Sequence, residues 1–316
     1  MRIVFLGTGD FAAPALRALH GAGHPILVVV SQPDRPAGRG RAVRPTPVRR
    51  AADELGLPHR QIDDVNAIDV AQLVGAAEIG VVAAFGQKIG RCILDALPRG
   101  CVNIHASLLP KYRGAAPYQW AIINGDETAG VTVFQLDEHW DAGPIWSQRA
   151  TPIGPTETAG ELHDRLAQLG ALLIVETLAD IAAGRKQPHP QDATQATRAP
   201  KLTKADGVVD WSQPAARVVR RIHGLWPWPA AACTFASHSG KHERVLLARA
   251  EVADGGARPS APLPPGAFAE DRTVQAGVGR VRVLEVQPAG GKLMPFQAFA
   301  NGRRIAPPDG FLPAEP

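Results

Sequence analysis

The sequence predicts an α/β chain: a doubly wound, mainly parallel sheet, followed by a small OB-like β-barrel. Three observations predict it. Short β-branched runs alternate with helix-period segments through the first third, a polar stretch without apolar periodicity interrupts the chain after residue 183, and short strands split by Gly and Pro turns follow it. At about 150 residues per domain, 316 residues suit two domains.

Residues 2–6 read as a strand, 10–20 as a helix and 25–31 as a second strand, so the chain opens with a βαβ unit. Apolar runs at 79–84, 101–105 and 131–136 supply further strands, with helices expected near 88–97, 116–124 and 158–183. Lys, Gln, Pro, Asp and Thr dominate 184–206, the composition of a linker. The expected domains are therefore 1–187 and 207–316, joined by 188–206. In the second, strands are expected at 245–252, 274–276, 281–286 and 294–300. No internal repeat is evident.

Composition narrows the function classes. With 45% hydrophobic and 20% charged residues the chain is ordinary globular protein, neither disordered nor collagenous. No apolar run approaches the roughly 18 residues of a membrane span, so a soluble, cytoplasmic protein is expected. Cys92, Cys101 and Cys233 are an odd number without metal spacing, which suggests neither disulfides nor zinc. The histidines other than His105 share no metal spacing either, so no metal is implied. Net charge is only +4, but it is unevenly placed. Residues 34–50 hold six arginines and one aspartate, while the rest of 1–187 holds 12 basic and 18 acidic residues. A basic segment on an acidic body suits an anionic partner, nucleic acid above all.

Two motifs compete for the chemistry. Gly7-Thr8-Gly9-Asp10-Phe11-Ala12 fits G-x-G-x-x-A between a strand and a helix, the dinucleotide fingerprint. The second strand ends Ser31-Gln32-Pro33 without the acidic residue an NAD site wants, which leaves NADP, or a purely structural glycine turn. The other motif runs from Asn103 to Gly114. Asn103 and His105 stand two apart on a strand and share a face, at a carboxyl-terminal strand end where α/β sheets bind ligands. A carboxylate follows in the turn Asp141-Ala142-Gly143. Asn, His and Asp without an adjacent Ser or Cys are no nucleophilic triad. They suit direct acyl or formyl transfer: as an amine attacks a formyl carbon, Asn103 and a protonated His105 would stabilise the developing oxyanion, and Asp141 would orient His105 and help remove the proton of the attacking amine. Trp226-Pro227-Trp228-Pro229 could stack RNA bases, but tryptophans flanked by prolines more often pack as a rigid plug at a domain junction, and packing is the favoured reading.

The segment 103–114 together with Asp141 resembles the formyltetrahydrofolate-dependent formyltransferase family. Similar segments run through nearly the whole chain: 31–50 resembles a basic insertion loop, 84–90 a folate-pocket loop, 202–211 and 226–229 the entry to a second domain, and 287–302 its last barrel segment. The resemblance implies a Rossmann-like catalytic domain with catalytic Asn103, His105 and Asp141. It implies folate contacts at Gly86, Ser107, Leu108, Leu109 and Pro110, and RNA contacts at Arg35, Arg39, Arg41 and Arg44. It further implies 10-formyltetrahydrofolate as formyl donor and the methionine α-amino group of initiator methionyl-tRNA as acceptor, with no obligate protein partner evident. Gly9, Ala106 and Trp226 depart from the family's usual residues, none of them at a catalytic side chain. Three alternatives stay open: a sugar-nucleotide amine as acceptor, an NADP-dependent oxidoreductase, and an RNA-binding module with an inactive pocket.

Overall fold

The computed structural model describes residues 1–37, 42–253 and 263–314. They form two units: Met1–Pro117, Ala129–Thr151 and His163–Ala199 make the first, and Tyr118–Thr128, Pro152–Leu162 and Pro200–Pro316 the second.

The first unit opens with β1 (Ile3–Gly7), α1 (Ala13–Gly21) and β2 (Ile26–Ser31). Every residue of β1 is buried, as expected for a central strand covered on both faces. Gly7 is demanded by packing, since a Cβ there would lie 2.8 Å from the Ala12 Cβ and 3.0 Å from the Ala83 carbonyl. The basic segment then forms a two-stranded antiparallel ribbon, β3 (Arg35–Ala37) and β4 (Ala42–Arg44), before α2 (Pro47–Glu54). Thr46 caps α2 by accepting from the Arg49 N–H, and Pro47 occupies its first turn. Next come β5 (His59–Gln61), α3 (Val70–Val74), β6 (Ile79–Ala83), α4 (Arg91–Ala96), β7 (Cys101–His105) and β8 (Arg113–Gly114), then α5 (Pro117–Asn124), which from Tyr118 onward belongs to the second unit. Two long strands, β9 (Thr128–Gln135) and β10 (Ile145–Pro152), precede α6 (Ala159–Ala182) and β11 (Arg198–Ala199).

The sheet has the order β10-β9-β7-β6-β1-β2-β5. Pairings from β7 through β6, β1 and β2 to β5 are parallel, and β9 joins β7 antiparallel. Thus the mainly parallel sheet expected from the sequence carries an antiparallel edge at the strand that bears Asn103 and His105. Helix α6 begins with a capping box in which Thr158 and Glu161 exchange side-chain to backbone hydrogen bonds. Gly170 allows α6 to approach β7, where a Cβ would lie 2.8 Å from the Ile104 side chain.

The second unit contains α7 (Ala215–Leu225), β12 (Ala231–Ala236), β13 (His242–Ala253), β14 (Val274–Gln275), β15 (Arg280–Pro288), β16 (Met294–Pro295), α8 (Phe296–Arg303) and β17 (Gly310–Pro313). Its antiparallel order is β14-β15-β13-β12-β17. Single bridges at Ala267–Gly310 and Phe268–Val274 nearly close the sheet into a barrel. Phe268 and Phe311 meet at 4.9 Å in its core, with Phe235 and Phe299 around them. Two expectations need correction. The strand expected over 294–300 is only Met294–Pro295; α8 follows because Phe296, Phe299 and Ala300 are buried at helical spacing. Trp228 is half-exposed, so the Trp-Pro segment is not wholly a packed plug.

His223 on α7 is buried, and its Nε2 accepts from the Ala250 N–H. Burial lowers its pKa to about 4. A neutral folded histidine that protonates when unfolded stabilises fully above pH ~6.5, and that contribution is lost as pH falls from there towards 4, about 3 kcal/mol in all. Denaturation at pH 7 and pH 4.5 should therefore show a steeper acid loss in wild type than in His223→Gln; equal losses would refute this assignment.

Candidate active site

β7 ends at the carboxyl edge of the sheet, between β6 and β9. Asn103 is half-buried and His105 is 6% exposed, both on one face of the strand. Among the described residues no partner hydrogen-bonds the Asn103 amide. The His105 ring stands edge-on to Phe134 at 6.4 Å, and its Nε2 lies 2.9 Å from the Tyr112 carbonyl. A carbonyl only accepts, so Nε2 carries the hydrogen in this arrangement. Nδ1 then faces Asp141, with Oδ2 3.8 Å away. That is an ion-pair distance, too long for a hydrogen bond. The orienting bond on His105 is thus the one it donates to the Tyr112 carbonyl, and Asp141 stands across a gap that a small group can enter.

Asp141 sits in the turn between β9 and β10, in the left-handed region at φ 51°. Its carboxylate accepts from the Gly114 N–H at 2.8 Å. Close packing holds the turn, since a Cβ on Gly143 would lie 1.9 Å from the Gln135 carbonyl.

The 107–110 turn leaves β7 directly. Ser107 Oγ donates to the Lys111 carbonyl at 2.6 Å, which keeps it from pairing with His105 as a nucleophile. Thr132 accepts from the Leu109 N–H at 3.1 Å and donates to the Ser107 carbonyl at 2.7 Å, while Gln148 donates to the Leu109 carbonyl. Leu109 is buried with Phe134 and Ile145, whereas Leu108 and Pro110 are half-buried. Cys101, on the same strand as His105, is equally ill-suited to covalent chemistry: burial pushes its thiol up to about 12.

Gly86 follows β6, the parallel neighbour of β7, at φ 78°. A Cβ there would lie 2.6 Å from the Gln32 amide nitrogen. The adjoining turn after β1 is stitched shut: Thr8 donates to the Phe85 carbonyl and accepts from the Gln32 N–H, and the Gln32 side chain also donates to Phe85. The glycine turn at 7–12 is therefore accounted for by packing and local hydrogen bonds.

Asn103, His105 and Asp141 come together, and the 107–110 turn adjoins them. Arg35 and Arg44 do not join that cluster. They lie exposed on the ribbon after β2, directly opposite one another. Arg39 and Arg41 fall outside the described residues. Arg49 of the same segment is paired with Asp34. Sequence reasoning missed Tyr112, Gly114, Thr132, Gln148 and Gln191, all of which hold the site through hydrogen bonds. No group of three or more His, Cys, Asp or Glu is placed to hold a metal among the described residues.

Residues 1–178 match the formyl transferase family, and residues 201–304 match the formyl transferase C-terminal domain. A methionyl-tRNA formyltransferase of Heliobacterium modesticaldum is 45% identical over 321 residues, covering 97% of this chain and 98% of that protein. The chain belongs to the methionyl-tRNA formyltransferase family. Another such protein, from Moorella thermoacetica, is 45% identical over 309 residues, covering 97% and 98%. Family membership makes the chain a one-carbon transferase. Among solved structures, the sugar 3N-formyl transferase WlaRD, studied with dTDP and 5-N-formyl-THF, aligns with a TM-score of 0.64 at 15% identity over 90% of this chain and 97% of its own. HypX from Aquifex aeolicus in complex with tetrahydrofolic acid aligns with a TM-score of 0.60 at 18% identity over 95% of this chain. This chain spans 47% of HypX, and at such identities both likenesses speak for the fold alone. No helix among the described residues is long and apolar enough to cross a membrane.

Proposed function

We propose that this chain transfers the formyl group of 10-formyltetrahydrofolate to the α-amino group of methionine on initiator methionyl-tRNA. The observation that carries the reading is the Asn103 amide beside His105, unpartnered among the described residues, with the Asp141 carboxylate across a 3.8 Å gap from the ring. Asn103 N–H and the Nδ1–H of a protonated His105, whose Nε2–H stays on the Tyr112 carbonyl, are donors for the negative charge that grows on the formyl oxygen as the amine attacks. Asp141, fixed by Gly114, is the base that accepts the amine's proton. Transfer is direct, because neither Cys101 nor Ser107 is disposed to act as a nucleophile. As the tetrahedral intermediate collapses, the bond from the formyl carbon to N10 of the folate breaks, and tetrahydrofolate leaves with N10 taking the proton that Asp141 accepted.

In this reading residues 1–187 hold the chemistry, with the donor bordered by Gly86, Ser107, Leu108, Leu109 and Pro110. Residues 188–206 connect, and 207–316 contribute to RNA binding. No metal enters the reaction. Arg35 and Arg44 support an RNA acceptor for a physical reason: like charges directly opposite on a β-ribbon weaken it, so the pair does not serve the ribbon's own stability.

The deciding experiment incubates the protein with 10-formyltetrahydrofolate and a panel of methionyl-tRNA, an aminosugar nucleotide and free amines. Formylation of the sugar alone would replace the acceptor in this reading, and none at all would end it. Reduced folate should also raise the melting temperature while NADP leaves it unchanged.

The ribbon gives a separate test. Each lost phosphate contact flattens the logarithmic salt dependence of RNA binding by about one unit. Replacing Arg35 and Arg44 together with alanine should therefore flatten the slope by about two units and weaken methionyl-tRNA binding, with melting temperature and folate affinity kept. Arg39→Ala should act in the same direction. If affinity and slope both stay at wild-type values in all of these variants, the basic segment is solvated surface.

A further inference from the structure

We infer that Gln191, in the segment connecting the two family regions, is a positioning residue that holds the Asp141 carboxylate opposite His105. The inference deepens the formyl-transfer reading, in which that carboxylate takes the amine's proton. Asp141 needs holding: a residue with a Cβ in the left-handed region carries a steric cost that glycine does not, and it persists there only where its surroundings impose it.

The Gln191 amide uses its whole hydrogen-bonding capacity on this task. Nε2 donates to the Asp141 carbonyl at 2.9 Å and to the Gly143 carbonyl at 2.8 Å. Oε1 accepts twice from Arg113, from Nε at 3.1 Å and from a terminal nitrogen at 2.7 Å. The orientation of the amide is unambiguous, because the reversed one would set oxygen against two carbonyls and nitrogen against a guanidinium. Arg113 is followed by Gly114, whose N–H binds the Asp141 carboxylate, and preceded by Tyr112, whose carbonyl meets His105. One side chain therefore clamps the backbone of the Asp141 turn to the strand segment that orients both the acid and the imidazole. Thr197 closes the same arrangement, accepting from the Tyr112 N–H at 2.8 Å, while β11 pairs with β8.

No other ordinary side chain fits. Glutamate keeps the Arg113 contact but sets carboxylate oxygens against the Asp141 and Gly143 carbonyls, and asparagine is one methylene short. Gln191→Glu and Gln191→Ala should each lower kcat about tenfold or more while the KM of the formyl donor stays within about twofold, since misplacement by about 1 Å can cost a hundredfold in rate. The acceptor used is the one on which wild type is active in the panel above. In an Asp141→Asn background the same substitutions should cost nothing further. A role confined to folding would lower both backgrounds alike.

The ring resonances of His105 in isotope-labelled protein read the geometry without any acceptor. Gln191→Ala should move them towards those of Asp141→Asn. Unmoved His105 resonances, or an equal loss of kcat in both backgrounds, would overturn the assignment. These outcomes are separate from failure of the proposed function, which the wild-type panel alone decides.

Discussion

Alanine in place of Asn103 or His105 should lower formyl turnover by about a hundredfold to a thousandfold, the usual cost of removing one donor to a developing oxyanion. The two substitutions should differ in everything else. The Asn103 side chain makes no hydrogen bond to the described residues, so its removal leaves no buried group unsatisfied and stability should stay near wild type. His105→Ala removes the hydrogen bond to the Tyr112 carbonyl and opens space beside Phe134, so it should also cost stability, about 1 kcal/mol for the hydrogen bond. In both, the KM of the donor should change little, because the lost interaction forms only as charge develops. Groups that act on one transition state are not independent, so the double variant should be only slightly slower than the worse single one. Asn103→Asp is the sharpest variant: it keeps size and polarity but removes the N–H donors. Wild-type turnover in Asn103→Asp would mean that the amide does not stabilise the transition state, and the mechanism would fall.

The grouping of Asn103, His105 and Asp141 was legible because its signals are local. Asn103 and His105 share a face through the period of two along a strand, and Asp141 announces itself by the glycine that follows in its turn. The opening βαβ unit was legible through apolar periodicity alone. The basic segment was read through its charge, and its internal order went unnoticed although Thr46-Pro47 is a helix-start signal. The strand expected over 294–300 went wrong because a short apolar run fits either period, and burial of Phe296 and Phe299 against the barrel core decided for helix. What orients the site was not legible at all. Gln191 reaches Asp141 across 50 residues and Arg113 across 78, and Thr132 reaches Ser107 across 25. Such partners are set by tertiary pairing and leave no period in the sequence. Composition even pointed away from Gln191, since a polar stretch without apolar rhythm reads as a connection.

A methyl group at Gly143 should be nearly as costly to turnover as the loss of a catalytic donor, although Gly143 contributes no side chain. Its Cβ would lie 1.9 Å from the Gln135 backbone carbonyl, where real contacts stay above 3.0 Å, so backbone must move by about 1 Å. That carbonyl is on β9, and the Gln135 N–H is itself tied to the Pro144 carbonyl at 2.8 Å, so neither side yields alone. The turn is the softer partner, and Asp141 travels with it. Because the Gly143 carbonyl also accepts from Gln191, the shift loosens the clamp on the carboxylate at the same time. A displacement of this size costs about a hundredfold in rate, and the overpacking itself costs about 1–3 kcal/mol of stability. Gly21→Ala is the fitting control. At the end of α1 its Cβ would meet nothing within 4 Å, and turnover should be unchanged. Measuring kcat and melting temperature for the two variants separates the site from the fold: a Gly143→Ala protein that turns over at the wild-type rate would show that the position of Asp141 does not limit the reaction.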